Sequence, residues 1–374
     1  MSELARRVLV LYTGGTIGMR DGPRGYVPEP GFLAGQLRAM PAFSDAASPR
    51  VERPLATVPV VGDATLLAGG ISMPLTRGGT RVRYDILEYG PLLDSSNMGV
   101  EHWVRLAEDV ARFHDDYDAF VVLHGTDTMA WTASALSFML EGLAKPVILT
   151  GSQIPLVHVR NDAVSNLLGA LMMAARGGVP EVGLWFHHRL LRGNRARKVD
   201  AAGFDAFQSA NVGPLAELGV DLHVHSDRVR SPGIAPLRVR PITRRNVATL
   251  RVFPGITRAI LANVLAAPLE GLVLETYGAG NVPDRDRGLL DALAEAAARG
   301  VVVVNVTQCS RGAVTDDYAA GRVLRDVGVV PGADMTTEAA LTKLAWLLGG
   351  GMSRDEVARA LQDDLRGELT PAGR

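Results

Sequence analysis

The chain has 374 residues, 47% of them hydrophobic, enough for a sizeable core or two domains. With 39 basic against 40 acidic residues the net charge is −1, which argues against nucleic acid as the main partner, since phosphate binding needs a positive excess or a strong basic patch. A single cysteine excludes an internal disulfide framework and suits a reducing cytosol; no apolar run approaches a membrane span and no signal-peptide core follows Arg7, so the chain reads as a soluble cytoplasmic protein.

The apolar run Val8 to Tyr12 predicts a strand buried on both faces, and Gly14, Gly15 and Thr16 follow as a sharp turn. Ligands in parallel α/β sheets sit beyond the carboxyl ends of strands, and glycine lets backbone approach a ligand closely. The glycines at 14, 15 and 18 fit neither common phosphate-binding pattern, and an ordinary strand-to-helix turn is an equally good reading of this stretch taken alone. Met19 to Tyr26 is polar and rich in Gly and Pro, and predicts a loop. Directly behind a candidate nucleophile it could act as a lid, or be plain surface.

Phe32 to Met40 predicts a helix. Ile71 to Thr76 and Thr80 to Ile86 flank Arg77-Gly78-Gly79 as a hairpin, here taken as part of an inserted segment of about 45–85. Asp94-Ser95-Ser96-Asn97 precedes a helix with Trp103, Leu106, Val110 and Phe113 on one face; the serines read first as helix caps, and secondly as donors for a carboxylate. Ala119 to Leu123 is another buried strand, opening into His124-Gly125-Thr126-Asp127-Thr128-Met129, with helical pattern from Trp131 to Leu143.

Pro146 to Leu149 and Val182 to Phe186 predict strands around a helix from Ala163 to Arg176, and the alternation signals a doubly wound, mostly parallel sheet. His223 and His225 lack a nearby third ligand, so they read as a surface strand rather than a zinc site. Ser226 to Arg245, with three prolines and no helical period, predicts a linker. Beyond it Leu272 to Leu274 and Val301 to Val304 predict strands, and Asp286 to Arg299, Thr337 to Leu348 and Arg354 to Asp363 predict helices. The organisation expected is a larger N-terminal domain (1–225), a linker (226–247) and a smaller Rossmann-like α/β domain (248–374).

Two stretches thus place a glycine and a threonine at the sheet's carboxyl edge, a plausible hydrolytic pairing. Thr13-Gly14-Gly15-Thr16-Ile17-Gly18 and His124-Gly125-Thr126-Asp127-Thr128-Met129 resemble the paired motifs of the bacterial L-asparaginases, particularly the cytoplasmic type I branch. The likeness extends through Asp94-Ser95-Ser96, Thr150 to Pro155, Arg192-Gly193-Asn194-Arg195 with Lys198, Thr307-Gln308-Cys309 and Gly332 to Thr336. Asn97 departs from the pattern, since relatives commonly carry aspartate there.

The resemblance implies a roster. Thr16, Thr126, Asp127, Lys198 and Tyr26 would be catalytic; Gly15, Asp94, Ser95, Ser96, Gly125 and Asn281 would bind substrate. Threonine is a poor free nucleophile, and lysine can serve as its proton partner where its surroundings permit. The residues alone leave open which threonine forms the covalent bond. The substrate implied is L-asparagine, with no metal or cofactor, in a homodimer or homotetramer. Cys309 is expected to be structural or to line a regulatory site, and Asn281 to face a neighbouring subunit's site. A related amidase acting on glutamine or another amide, and an inert binding module of the same fold, stay open.

Overall fold

The computed structural model describes residues 4–23, 25–45, 64–76, 79–244, 246–283, 285, 287–315 and 319–371. Among them are two compact units. The first comprises Met1–Leu136, Leu140–Gln208 and Pro214–Val239; the second comprises Ser137–Met139, Ser209–Gly213 and Arg240–Arg374.

The first unit is built on a nine-stranded sheet. Across it the strands run Leu222–Val224, Ala216–Leu218, Arg189–Arg192, Val182–Phe186, Val147–Thr150, Ala119–Leu123, Leu4–Gly14, Thr80–Leu93 and Thr65–Ser72. The middle is parallel: Leu4–Gly14 pairs with both Ala119–Leu123 and Thr80–Leu93, and Val147–Thr150 joins Ala119–Leu123 to Val182–Phe186. A strand covered on both faces must be apolar at every position, and Val8 to Tyr12 and Ala119 to Leu123 are all buried. Val8, Val10 and Tyr12 pack with Leu167, Ala170 and Leu171 of the helix Ala163–Arg176 and with Trp185.

Several elements differ from the sequence reading. Met19 to Tyr26 is a short antiparallel hairpin, Met19–Gly22 against Gly25–Pro28, because pairing satisfies the backbone that a loop would leave to solvent. The helix read as Trp131 to Leu143 is Met129–Met139, and Leu140–Glu141 then leaves it to pair antiparallel with Arg238–Val239. The hairpin read around Arg77 is formed, with Ile71 opposite Tyr84, but Arg77 and Gly78 themselves and residues 46–63 lie outside the described residues. Its second strand is no appendage. Thr80–Leu93 lies in register with Leu4–Gly14, from Leu4 opposite Thr80 to Tyr12 opposite Glu88, so residues 80–85 of the supposed insertion belong to the central sheet.

The stretch read as a linker divides: 226–239 belongs to the first unit, where the Gly233 N–H donates to the Leu143 carbonyl (3.1 Å), and Arg240 begins the longest run of the second. The second unit carries a four-stranded parallel sheet in the order Val247–Arg251, Gly271–Thr276, Val302–Thr307, Val330–Pro331. Its helices are Arg258–Val264, Arg287–Ala298, Ala319–Asp326, Thr337–Leu348 and Arg354–Gln362. Two of these, Arg258–Val264 and Ala319–Asp326, were not expected; with 7 and 8 residues they are too short for periodicity to declare them. A fully buried pair, Lys343 Nζ to Glu368 Oε1 at 2.5 Å, fixes the last segment onto the helix Thr337–Leu348. No described helix is long and apolar enough to cross a membrane.

Candidate active site

Three loops that are distant in sequence converge at the carboxyl ends of the parallel strands of the first unit. Gly15 has φ +84, and a Cβ there would lie 2.5 Å from the Gly125 nitrogen. A Cβ on Gly125 would in turn lie 2.5 Å from Ser95 Oγ. Only hydrogen fits at these two positions, Gly15 against the Gly125 backbone and Gly125 against the Ser95 side chain, so the glycines bring the starts of Thr16, Thr126 and the Ser95 turn to one place. The Gly15 N–H donates to the Leu93 carbonyl (3.0 Å), and Thr128 Oγ1 donates to the Ser95 carbonyl (2.7 Å), which locks the three loops together.

Lys198 sits on a two-residue strand, Arg197–Lys198, after the short 3-10 turn Gly193–Arg195. Its Nζ donates to Thr126 Oγ1 (2.8 Å) and to Asp127 Oδ1 (2.6 Å). The side chain of Lys198 is 18% exposed and that of Asp127 64%, so the lysine is sheltered while the carboxylate faces out. Thr126 donates onward to Gln153 Oε1 (3.1 Å). Asp94 caps the 3-10 turn Ser95–Asn97, accepting from the Ser96 N–H and hydroxyl, both at 2.9 Å. Ser95 is buried and Thr16 half-buried. Among the described residues the Thr16 hydroxyl makes no side-chain hydrogen bond.

Beneath this surface His124 is fully buried, and loss of hydration pushes its imidazole down to about 4. Its Nδ1 lies 2.7 Å from the Gly125 carbonyl and its Nε2 2.8 Å from Thr132 Oγ1. A carbonyl can only accept, so Nδ1 carries the proton and Nε2 accepts from Thr132, which accepts in turn from Trp103 Nε1 (2.9 Å). The chain Trp103–Thr132–His124–Gly125 fixes the peptide that precedes Thr126, which gives the histidine a structural role.

Among the described residues Tyr26, Asn281 and Cys309 take no part in this hydrogen-bond network. Tyr26, 48% exposed on the second strand of its hairpin, meets His158 edge-on with ring centroids 5.4 Å apart, and among the described residues it makes no hydrogen bond to Thr16 or Lys198. Asn281 belongs to the second unit, in a tight loop where the Tyr277 N–H donates to the Asn281 carbonyl (3.0 Å). Cys309 is also in that unit, exposed, its N–H donating to Thr307 Oγ1 (3.1 Å). His225, just after the edge strand Leu222–Val224, binds Glu217 (3.1 Å) on the neighbouring strand Ala216–Leu218.

The family description "Asparaginase, N-terminal" matches residues 7–230, and "Glutaminase/Asparaginase C-terminal domain" matches 246–361. The chain belongs to the asparaginase family. It is 46% identical over 371 residues to L-asparaginase 1 of Escherichia coli K12, covering 98% of each chain, which places it with the type I branch. It is 47% identical over 368 residues to the 60 kDa lysophospholipase of Homo sapiens, covering 98% of this chain and 62% of that one. The crystal structure of L-asparaginase I from Vibrio cholerae superposes with a TM-score of 0.81 at 42% identity, over 98% of this chain and 99% of that one. This asparaginase is accordingly an amidohydrolase.

The asparaginase motifs quoted from sequence supplied Thr16, Thr126, Asp127, Lys198 and the Asp94–Ser96 turn, and the fold gathers Gly15, Gly125, Ser95, Thr126, Asp127 and Lys198 in one network. Sequence reading gave no role to Gln153, Thr132 or Trp103. Gln153 carried a signal, since it stands within a quoted motif directly after a strand end; Thr132 and Trp103 read only as helix core.

Proposed function

We propose that this asparaginase hydrolyses L-asparagine to L-aspartate and ammonia through an acyl-enzyme on Thr16. The observation that carries this reading is the Lys198–Thr126–Asp127 group, with Nζ 2.8 and 2.6 Å from its partners, set beside the contact of Gly15 with Gly125. Thr16 Oγ1 attacks the side-chain amide carbon and its proton leaves with the nitrogen as ammonia; water then cleaves the ester and restores the threonine. Thr126, Lys198 and Asp127 handle the protons, and Asp127 also grips the α-amino group. Asp94, Ser95 and Ser96 hold the amino-acid end. Because the Gly15 N–H is committed to Leu93, the oxyanion donors are assigned to the backbone N–H groups of Thr16 and Thr126. Tyr26 on its hairpin closes over the bound substrate, and Asn281 reaches the site of a second subunit in a homodimer or homotetramer.

Ammonia release by the purified protein from asparagine, and separately from glutamine, tests the reading. Turnover of asparagine that disappears in Thr16→Ala is the expected result. Turnover of glutamine alone would replace the substrate, and release from neither would leave a binding module.

A further inference from the structure

The Gln153 side chain has both ends occupied. Its Nε2 donates to the Gly203 carbonyl (3.1 Å) and lies 3.5 Å from the Asp200 carbonyl. Carbonyls only accept, so the amino group must face them, and Oε1 must face Thr126. The Thr126 hydroxyl therefore spends its proton on Gln153 (3.1 Å) while its oxygen accepts from Lys198 (2.8 Å). The Gln153 backbone is pinned as well: its N–H donates to the Asp162 carboxylate (2.9 and 3.1 Å), which also takes the Ile154 N–H (3.1 Å). On the far side, Asp200 takes the Ala202 and Gly203 N–H groups (2.8 and 2.9 Å), closing the turn that follows Lys198.

We propose that Gln153 is the positioning residue of the proton-handling group: it sets the direction of the hydrogen-bond chain Lys198 to Thr126 to Gln153 and ties Thr126 to the turn behind Lys198. The inference rests on the reading that Lys198 and Thr126 handle protons in amide hydrolysis. In a chain running outward from the lysine the Thr126 oxygen faces Nζ only as an acceptor, and each donor in the row strengthens the next. Gln153 then holds the Thr126 proton away from Lys198 until the lysine is neutral and can accept it. The charged groups facing Lys198 are Asp127, bonded to Nζ (2.6 Å), and Asp200, close enough to feel its charge. Gln153, uncharged and placed behind Thr126, tunes this group without adding charge of its own.

Two substitutions of similar length separate positioning from mere support. Gln153→Met removes the acceptor, so the ammonium form loses its onward bond; Gln153→Glu puts a carboxylate behind Thr126. The acid limb of the kcat–pH profile for ammonia release is expected to move down by roughly half a unit in the first and up by roughly one unit in the second. KM for asparagine should stay within about threefold in both, because Gln153 does not grip substrate. Thermal midpoints report whether each variant is folded. Limbs that stay in place, or that move the same way in both folded variants, would overturn the proposal and leave Gln153 a structural clamp. Lys198→Met in the same series distinguishes the two levels. If it is inert while the Gln153 profiles do not move, the positioning role alone fails. If it remains active, the proton-handling reading falls, and this inference with it.

Discussion

Gly15 and Gly125 meet backbone to backbone: a Cβ on Gly15 would approach the Gly125 nitrogen to 2.5 Å and its Cα to 2.6 Å. These two residues end the turns after Leu4–Gly14 and Ala119–Leu123, neighbouring parallel strands, so the register of the sheet is converted directly into the spacing of Thr16 and Thr126. Neither backbone can give way without moving its strand.

Gly15→Ala tests that contact. The new methyl meets backbone rather than a mobile side chain, and φ +84 is strained for any residue with a Cβ. A loss of about 2 kcal/mol or more in unfolding free energy is expected, from strain and overlap together. Ammonia release should fall about a hundredfold even where the protein is folded, the scale of a shift of about 1 Å between reacting groups. Urea unfolding and initial rates at saturating asparagine check both; a stable, fully active variant would mean that the loops have slack.

Much of this arrangement was legible in the sequence. Uninterrupted apolar runs such as Ala119 to Leu123 announce buried parallel strands, because a strand covered on both faces has no polar position. The helices Ala163–Arg176 and Thr337–Leu348 match their expected limits, and Thr336 caps the second through a bond from the Ala339 N–H (3.1 Å). What stayed hidden was pairing at a distance. Nothing in Thr80 to Ile86 distinguishes a hairpin appended to the domain from one whose second strand enters the central sheet; the register with Leu4–Gly14 decides it. Likewise the place of Gln153 depends on the carbonyls of Asp200 and Gly203, residues that only the fold brings near.

Thr16→Ala should abolish ammonia release while leaving asparagine binding nearly intact, because the half-buried hydroxyl supports no other part of the structure. Thr126→Val should be comparably damaging, since groups that act as a unit lose activity almost whole. Its oxygen links Lys198 and Gln153, so its loss also breaks their chain. Single-turnover ammonia assays and calorimetric binding of asparagine separate the two effects. Residual turnover above a few per cent of wild type in the Thr16 variant would remove Thr16 from the role of nucleophile.

If the site is completed by a second subunit through Asn281, chains carrying Thr16→Ala and Asn281→Ala should complement one another. Each is inert alone, yet in a mixed dimer one of the two sites draws an intact Thr16 from one chain and an intact Asn281 from the other. About half of wild-type activity per mixed dimer is the expected recovery, by that same symmetry. Differently tagged chains purified as a verified mixed dimer give the measurement. No recovery would mean that each site is built from one chain.

His124 makes a prediction about stability rather than chemistry. Its imidazole is held neutral by burial at a value of about 4, against 6.5 for an unhindered histidine, and it donates to the Gly125 carbonyl while accepting from Thr132. Between those two values the unfolded chain takes up a proton that the folded chain refuses. Its contribution to stability is therefore intact above about pH 6.5 and is lost as pH falls towards 4, on the order of 3 kcal/mol across the whole window. A His124→Gln protein lacks this titration, although its folded state is weaker from the start because the bonds to Gly125 and Thr132 are imperfectly replaced. Urea unfolding of both proteins at pH 7 and pH 5 isolates the effect, because the other titrating groups are common to the two. The advantage of wild type over His124→Gln should shrink by about 2 kcal/mol on acidification. An advantage that stays constant between the two pH values would show that His124 is protonated in the folded state. The bond to Gly125 would survive that, but Thr132 could no longer donate to Nε2, and the support of the peptide before Thr126 would have to come from elsewhere.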